Sequence, residues 1–406
     1  MKFRDPEGLL RALAGAPLPA AVVDLAAFER NLDRVKAALA ARPALGLRVG
    51  SKSLRVEALI ARLAAGLGAR YAGVLCYSAR ELGWLAGRGH RDLVMGYPVV
   101  DPDDARRLAT ARTQTQVCAM VDDPAHLAVL SAAAVEAGVV LDVAIDLDMA
   151  ARWPTRRGPG LRLGVLRSPL ESVKAVQRLA GQVAATPGLA LAGCMGYEAQ
   201  IAGLRDRVSG RRVLAHALVK AISRPQVRRF RAEVSAALRA DGHRLRFFNG
   251  GGTGSLDSTR DDPSVTELTV GSGFLGTALF QGLDALDCEP ALGFVLPVVR
   301  RPSAETATCA GGGYVASGAG GPGGRDRWPV PVFPFGLALT DREGPGEVQT
   351  PLVGPGARGL SLGDRVLFVP AKAGELAERF AEYHLVRGGT VEARAPTWRG
   401  DAATWG

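Results

Sequence analysis

No stretch of this chain approaches the roughly 20 consecutive apolar residues that a membrane-spanning helix needs, so no membrane helix is expected. The opening MKFRDPEGLLRALAGAPLPA breaks its short apolar patch with Arg11 and two prolines. It lacks the h-region of a signal peptide, and a cytoplasmic protein is expected. Cysteine is scarce and odd in number: Cys76, Cys118, Cys194, Cys288 and Cys309, none at CxxC spacing. That excludes a disulfide framework or a zinc ribbon and reads as buried free thiols in a reducing compartment. The five histidines, His90, His126, His216, His243 and His384, show no metal-ligand spacing. His384, near the C-terminal strands, is the one to watch. Net charge is +10, but the basic residues are mostly arginines spread along amphipathic segments such as RRVLAHALVKAISRPQVRRFRAEV. With no nucleic-acid motif beside them they read as a solvated helix face, and no nucleic-acid partner is expected.

What the chain does have is alternation. Short apolar runs lie at 45–51, 71–77, 92–96, 115–121, 140–148, 189–197, 244–249 and 265–270. They barely alternate with polar residues, as strands buried on both faces should. Between them run helical patterns: Leu25, Phe28, Leu32, Val35 and Leu39 form one stripe, with Asp24 as N-cap. The segment 169–186 is another, opening at Pro169. This order predicts an α/β fold, a (β/α)8 TIM-type barrel; an open doubly wound sheet is the alternative. After about residue 285 helical periodicity fades into short strand-like pieces separated by Gly and Pro, an all-β domain. The expected division is 1–24 as a strand joining the β domain, 25–284 as the barrel and 285–406 as the β domain. The glycine-rich 318–327 reads as a loop.

In such a barrel the active site lies at the C-terminal ends of the strands. There the sequence places Lys52, then Tyr77, Tyr97, Asp148, Arg162, Tyr197 and Glu198. Strands seven and eight end in NGGGTGS (249–255) and GSG (271–273). These are the two loops that usually hold phosphate in this fold, and glycine lets backbone N–H groups approach an anion closely. A lysine beside a phosphate pocket suits a Schiff base, since burial frees the amine as a nucleophile. The matching phosphate-bearing aldehyde is pyridoxal 5'-phosphate. A plain phosphate-binding lysine is the other reading.

The motifs VVDLAAFERN, RVGSKSLR, MGYEAQIAG, NGGGTGSL, VTELTVGSG, GGGYVASG, GEVQTPLVG and AKAGELAERF stand in order along nearly the whole chain. With them the chain resembles the fold-type III pyridoxal-phosphate enzymes, the alanine-racemase-like barrels. Within these it is most similar to the D-threonine aldolase and D-serine dehydratase branch, in the amino acid deaminase/aldolase group. The resemblance implies that Lys52 forms the Schiff base and that Gly251, Gly252, Thr253, Gly271, Ser272 and Gly273 hold the phosphate. It places Tyr197 along the cofactor and Arg162, with Arg167 nearby, at the ring hydroxyl. It also implies a homodimer whose active site is shared between subunits.

Two departures qualify that picture. The relatives bind a divalent metal through a His followed two residues later by Asp or Cys; here VPAKAGE puts Pro370 and Lys372 in those places. No metal ligand is assigned, and a divalent metal is in doubt. Where the aldolases carry a proton-transferring His, this chain has Gln200. Candidate acids and bases are Tyr197, Glu198, Lys372 and Glu375, and Glu267 either nears the ring or supports the loop. The expectation is a lyase acting on a β-hydroxy, D-configured α-amino acid by aldol-type cleavage, transfer or elimination. Lys372, its pKa lowered by burial, would replace the metal. A racemase or epimerase is the alternative.

Overall fold

The computed structural model describes residues 1–153, 160–208, 212–318, 322–403 and 405. Eight parallel strands close a barrel. After β1 (Ala20–Asp24) they are β2 (Gly46–Gly50), β3 (Tyr71–Cys76), β4 (Leu93–Pro98), β5 (Val117–Val121) and β6 (Leu141–Asp146). A short hairpin, β7 (Ala151–Trp153) and β8 (Leu161–Leu163), follows. Then come β9 (Leu189–Gly196), β10 (Phe247–Gly250) and β11 (Glu267–Val270), which pairs back onto β2. The eight apolar runs of the sequence are these eight strands. They lack alternation because one face packs on the surrounding helices and the other fills the barrel, where Val94, Cys118, Met120, Ala144, Ala192, Met195 and Phe247 form their own buried cluster. All five cysteines are free and buried. Among the described residues no helix is long and apolar enough to cross a membrane.

Aspartate and serine caps set where the helices begin. Asp24 Oδ1 accepts the Ala27 N–H at 3.1 Å and opens the helix Leu25–Ala38. The helix expected from Pro169 starts later, at Val173, because Ser172 is its cap. Pro169 belongs to the preceding connection.

A charged plug closes the N-terminal end of the barrel. Arg48, 1% exposed on β2, binds both carboxylate oxygens of Glu267 at 2.7 and 2.8 Å and the Asp92 carboxylate at 3.0 Å. Arg246 then links Asp92 at 2.7 Å to Asp142 at 3.6 Å. Glu267 therefore supports the barrel rather than approaching a ring. Its Oε1 also accepts from Asn249 Nδ2 at 2.7 Å, which fixes the side chain at the start of the first glycine loop.

The second layer is a nine-stranded sheet. Its strands after β11 are β12 (Leu292–Ser303), β13 (Thr306–Ala310), β14 (Val330–Phe333), β15 (Ala338–Leu339), β16 (Gln349–Val353), β17 (Arg365–Val369), β18 (Glu382–Arg387) and β19 (Thr390–Pro396). β1 completes it, antiparallel to β12 and parallel to β18. Of the stretch read as a loop over 318–327, residues 319–321 lie outside the described residues, while Pro322–Arg327 form a 3-10 helix. His384 is buried in β18, with Nδ1 bonded to the Ala21 carbonyl at 3.2 Å, so it is part of the sheet core. The sheet leans on the barrel mouth through the short helix Ala373–Ala377 that follows β17. A Cβ on Gly374 would lie 1.8 Å from the Lys52 carbonyl oxygen, so only glycine permits this approach.

One buried acid ties the mouth to the C-terminal segment. Glu81 is fully buried; its carboxylate accepts from the Tyr77 N–H at 2.8 Å and from Trp398 Nε1 at 3.0 Å. Burial pushes its pKa up to about 7, against the pull of the bonds from Tyr77, Ser51 and Trp398 and of Arg55. A carboxyl raised in the folded state contributes stability that is fully present below its unfolded value of 4.5 and lost as pH rises through about 7. The raised value corresponds to a loss on the order of 3 kcal/mol across that window. Urea unfolding at pH 4.5 and pH 8 should show a smaller difference in Glu81→Gln than in the parent chain. Equal differences would mean that Glu81 does not carry the effect.

Candidate active site

A cavity of about 540 Å³ opens at the C-terminal end of the barrel and reaches the β domain. Lys52, just past β2, lines one side; Gly251, Gly252 and Thr253 after β10 and Gly271 and Ser272 after β11 line another. Tyr97, Arg167 and Tyr197 also reach it, and from the β domain come Ser317, Lys372 and Glu375. Lys52, expected to be partly desolvated, is an exposed side chain whose Nζ bonds Tyr97 Oη at 3.1 Å.

The glycine loops are shaped for close approach. Gly251 adopts φ +85°, and a Cβ there would lie 2.8 Å from Leu268. A Cβ on Gly271 would lie 2.8 Å from the Gly50 carbonyl oxygen. Gly273 is not part of the cavity wall. Its N–H donates to Thr253 Oγ1 at 3.0 Å and ties the two loops together. Ser53 and Ser272 hydroxyls share a bond of 2.8 Å across the gap to the lysine turn.

Glu198 lies beneath the first loop and is completely buried. Its carboxylate accepts from the Gly251 N–H at 3.2 Å, from Ser255 Oγ at 2.6 Å, from Thr259 Oγ1 and from Arg231. Burial would raise its pKa, but Arg231 and the hydroxyl bonds outweigh it and hold the carboxyl below its ordinary value. A charged, fully engaged carboxylate outside the cavity is an anchor, so the reading of Glu198 as an acid or base is corrected. Gln200 is likewise placed away from the cavity wall: it is buried, with Nε2 donating to the Met149 carbonyl at 2.6 Å. Tyr197 does line the cavity, and burial pushes its phenol up to about 12.

Of the two arginines in LRLGVLR, Arg162 points elsewhere, pairing with Asp148 at 2.7 Å and donating to the Val165 carbonyl at 2.9 Å. Arg167 is the one in the cavity. Its Nε binds Asp146 at 2.6 Å, a second nitrogen binds the Gly96 carbonyl at 3.0 Å, and its guanidinium lies 5.4 Å from the Tyr97 ring and 5.9 Å from the Tyr197 ring. The resemblance favours Arg162 with Arg167 nearby, and the two stand too close in sequence for spacing to separate them; residues 154–159 of this connection lie outside the described residues.

On the β-domain side, Lys372 Nζ donates to the Ser317 carbonyl at 2.8 Å and to Glu375 at 3.3 Å. Glu375 also accepts from the Ser317 N–H at 2.6 Å and its hydroxyl at 2.7 Å. Burial works to raise the Glu375 pKa, yet these bonds and Lys372 hold it below the ordinary range. Lys372 is about one third exposed, so it is not the buried amine expected from sequence. Arg55, at φ +50°, also lines the wall; it pairs with Glu378 and donates to the Lys52 carbonyl at 3.2 Å. Among the described residues, no three His, Cys, Asp or Glu side chains are grouped to hold a metal.

A lysine at the mouth of a closed parallel barrel, facing two glycine loops under a β-rich cap, defines an alanine-racemase-like enzyme scaffold. Residues 23–278 match the model of the alanine racemase N-terminal domain, and the chain belongs to that family. It is 28% identical over 385 residues to the D-threonine aldolase of an Arthrobacter species, covering 94% of this chain and 92% of that one. A solved D-threonine aldolase from Filomicrobium marinum superposes with a TM-score of 0.77 at 26% identity, covering 95% of each chain. The D-threo-3-hydroxyaspartate dehydratase of Delftia sp. HT23 shares the fold, with a TM-score of 0.74 at 20% identity over 95% of this chain and 98% of that one. The family implies pyridoxal phosphate as cofactor. The residues here fit it: an amine, two glycine loops in which a Cβ at Gly251 or Gly271 would clash, and an arginine near two tyrosine rings.

Proposed function

We propose that the chain is a pyridoxal-phosphate-dependent lyase acting on β-hydroxy D-α-amino acids, by aldol-type cleavage or elimination. The observation that carries this is the placement of Lys52 and Lys372 on the same cavity, one from the barrel and one from the β domain. Lys52 is the amine that holds the cofactor. Gly251, Gly252, Thr253, Gly271 and Ser272 would hold its phosphate, and Arg167 with Tyr197 its ring. When bound, the pyridoxal group withdraws electrons from the substrate α-carbon, so that a bond at that carbon can break. The protein's own groups then decide which bond.

Cleavage between the α- and β-carbons requires the β-hydroxyl to lose its proton, which would pass to water at the mouth of the cavity, since an ammonium at Lys372 cannot accept it. Lys372, fixed by Ser317 and Glu375, presents a positive charge from the β domain toward that oxygen. Such a charge favours the alkoxide that develops there. In this reading Lys372 stands in for a divalent cation, because Pro370 has no ligating atom and an ammonium repels a metal. A homodimer that completes the cavity with the partner's β domain, in the cytoplasm, is part of the same proposal. A racemase has less support, since the relatives above at 28% and 26% identity are D-threonine aldolases by name.

The test is turnover of D- and L-threonine, D-3-hydroxyaspartate and D-alanine by the loaded enzyme, with and without EDTA. Cleavage or deamination of the β-hydroxy D-substrates, unaffected by EDTA, is expected. Lys372→Ala should lower kcat/KM by about 10²- to 10³-fold, the size of loss seen on removing one group that stabilises a developing oxyanion. Racemisation of alanine without bond cleavage would overturn the reading. Inhibition by EDTA would overturn the assignment of Lys372.

A further inference from the structure

We propose that Tyr97 is a catalytic residue of this site, its hydroxyl acting as the proton partner of the Lys52 amine. The proposal rests on the lyase reading above and adds to it the group that serves the lysine. Tyr97 Oη stands 3.1 Å from Nζ, and among the described residues it is the hydrogen-bond partner of that amine. The bond spans the mouth of the barrel: Lys52 follows β2, Tyr97 lies near the end of β4, and β3 runs between them.

The phenol is held in place. Arg167 sits 5.4 Å from its ring centre and binds the carbonyl of the preceding residue, Gly96, at 3.0 Å. Arg167 is itself fixed by Asp146 at 2.6 Å and backed by the Tyr197 ring. The guanidinium therefore positions the ring, and its described hydrogen bonds go to Asp146 and Gly96 rather than to the Tyr97 hydroxyl, which bonds the lysine. Tyr97 is also 38% exposed, so the same hydroxyl can reach solvent.

A hydroxyl is both donor and acceptor, so it can bond Nζ in either of its protonation states. An ammonium at Nζ gives a proton to Oη while Oη gives its own to water; the amine becomes neutral and the phenol is restored. The reverse transfer reloads Nζ. Aldol cleavage consumes no net proton, because the one lost from the β-hydroxyl is matched by one gained at the α-carbon. A lysine that must be neutral in one step and protonated in the next needs such a partner.

The experiment compares Tyr97→Phe with the parent chain in two ways. In the cofactor-free protein, trace acetylation with acetic anhydride across pH is read on the Lys52 peptide, with exposed Lys174 as internal standard. Losing an acceptor that stabilises the ammonium should lower the midpoint of Lys52 reactivity by about half a pH unit or more. In the loaded enzyme, kcat should fall by about 10²-fold, in the range of a lost proton-transfer group, with KM within about twofold. An unchanged acetylation curve overturns the proposal. So does a shifted curve with unchanged kcat, which would make Tyr97 a positioning residue only. If the parent enzyme turns over no β-hydroxy D-amino acid, the lyase reading fails, and the acetylation curves still decide the Tyr97–Lys52 pair by themselves.

Discussion

Replacing Lys52 with alanine is expected to remove activity altogether, a loss of about four orders of magnitude or more in kcat/KM, as removal of an essential nucleophile does. No other lysine of the cavity can substitute: Lys372 stands on the β domain, bonded to Ser317 and Glu375. Lys52→Arg should fail equally, because a guanidinium does not lose its proton and so cannot act as a nucleophile. The fold should survive. Lys52 is exposed, and its side chain makes one described hydrogen bond, to Tyr97, so the unfolding midpoint in urea should barely move. The measurement is visible absorbance of lysine-bound pyridoxal phosphate together with turnover. Loss of both with an unchanged unfolding curve is the expected pattern. Retained absorbance and turnover would assign the amine to another residue and remove the mechanism built on Lys52.

The scaffold was readable because its physics is repetitive. A strand buried on both faces needs an unbroken apolar run, and the eight runs stand where the eight barrel strands are. The glycine loops were readable for a similar reason, since the left-handed backbone of Gly251 beside Leu268 and the Gly50 carbonyl beside Gly271 both disfavour a side chain. What the residues do inside the site was less readable. Glu198 follows the site tyrosine and looks like an acid or base, yet it turns down onto Arg231. Arg162 and Arg167 are both plausible from their spacing. Only the three-dimensional partners, Asp148 for one and Asp146 for the other, show which of them faces the cavity. Lys372 and Glu375 stand three residues apart and were legible as a pair of charges, but Ser317, which joins them from 55 and 58 residues away, was not.

The buried pair under the first glycine loop should be the most destabilising place to cut outside the hydrophobic core. Glu198 is 0% and Arg231 2% exposed, so neither charge is served by water. Glu198→Ala leaves the guanidinium with Asp262 at 3.3 Å and the Gly196 carbonyl at 2.6 Å, but without its main counter-charge. Breaking such a pair by removing one partner costs about 3–5 kcal/mol, because the remaining charge stays desolvated. The same cut strands the Gly251 N–H and the Ser255 and Thr259 hydroxyls, which shape the loop. Glu198→Ala should therefore show both a lower unfolding midpoint in urea and weaker retention of pyridoxal phosphate in equilibrium dialysis. Glu198→Gln keeps an acceptor but not the charge, and should fall between the two in both measurements. The pH dependence has a definite sign. A carboxyl held below its unfolded value of 4.5 contributes stability that is present above that pH and is lost as pH falls through its folded value. The parent chain should thus lose part of its advantage over Glu198→Gln on acidification below about 4.5. If Glu198→Ala instead unfolds like the parent while losing only the cofactor, the carboxylate acts on the ligand directly and the anchoring role is wrong. If stability falls and cofactor retention does not, the glycine loop keeps its shape without the anchor, and the link between the buried charge and the cradle is broken.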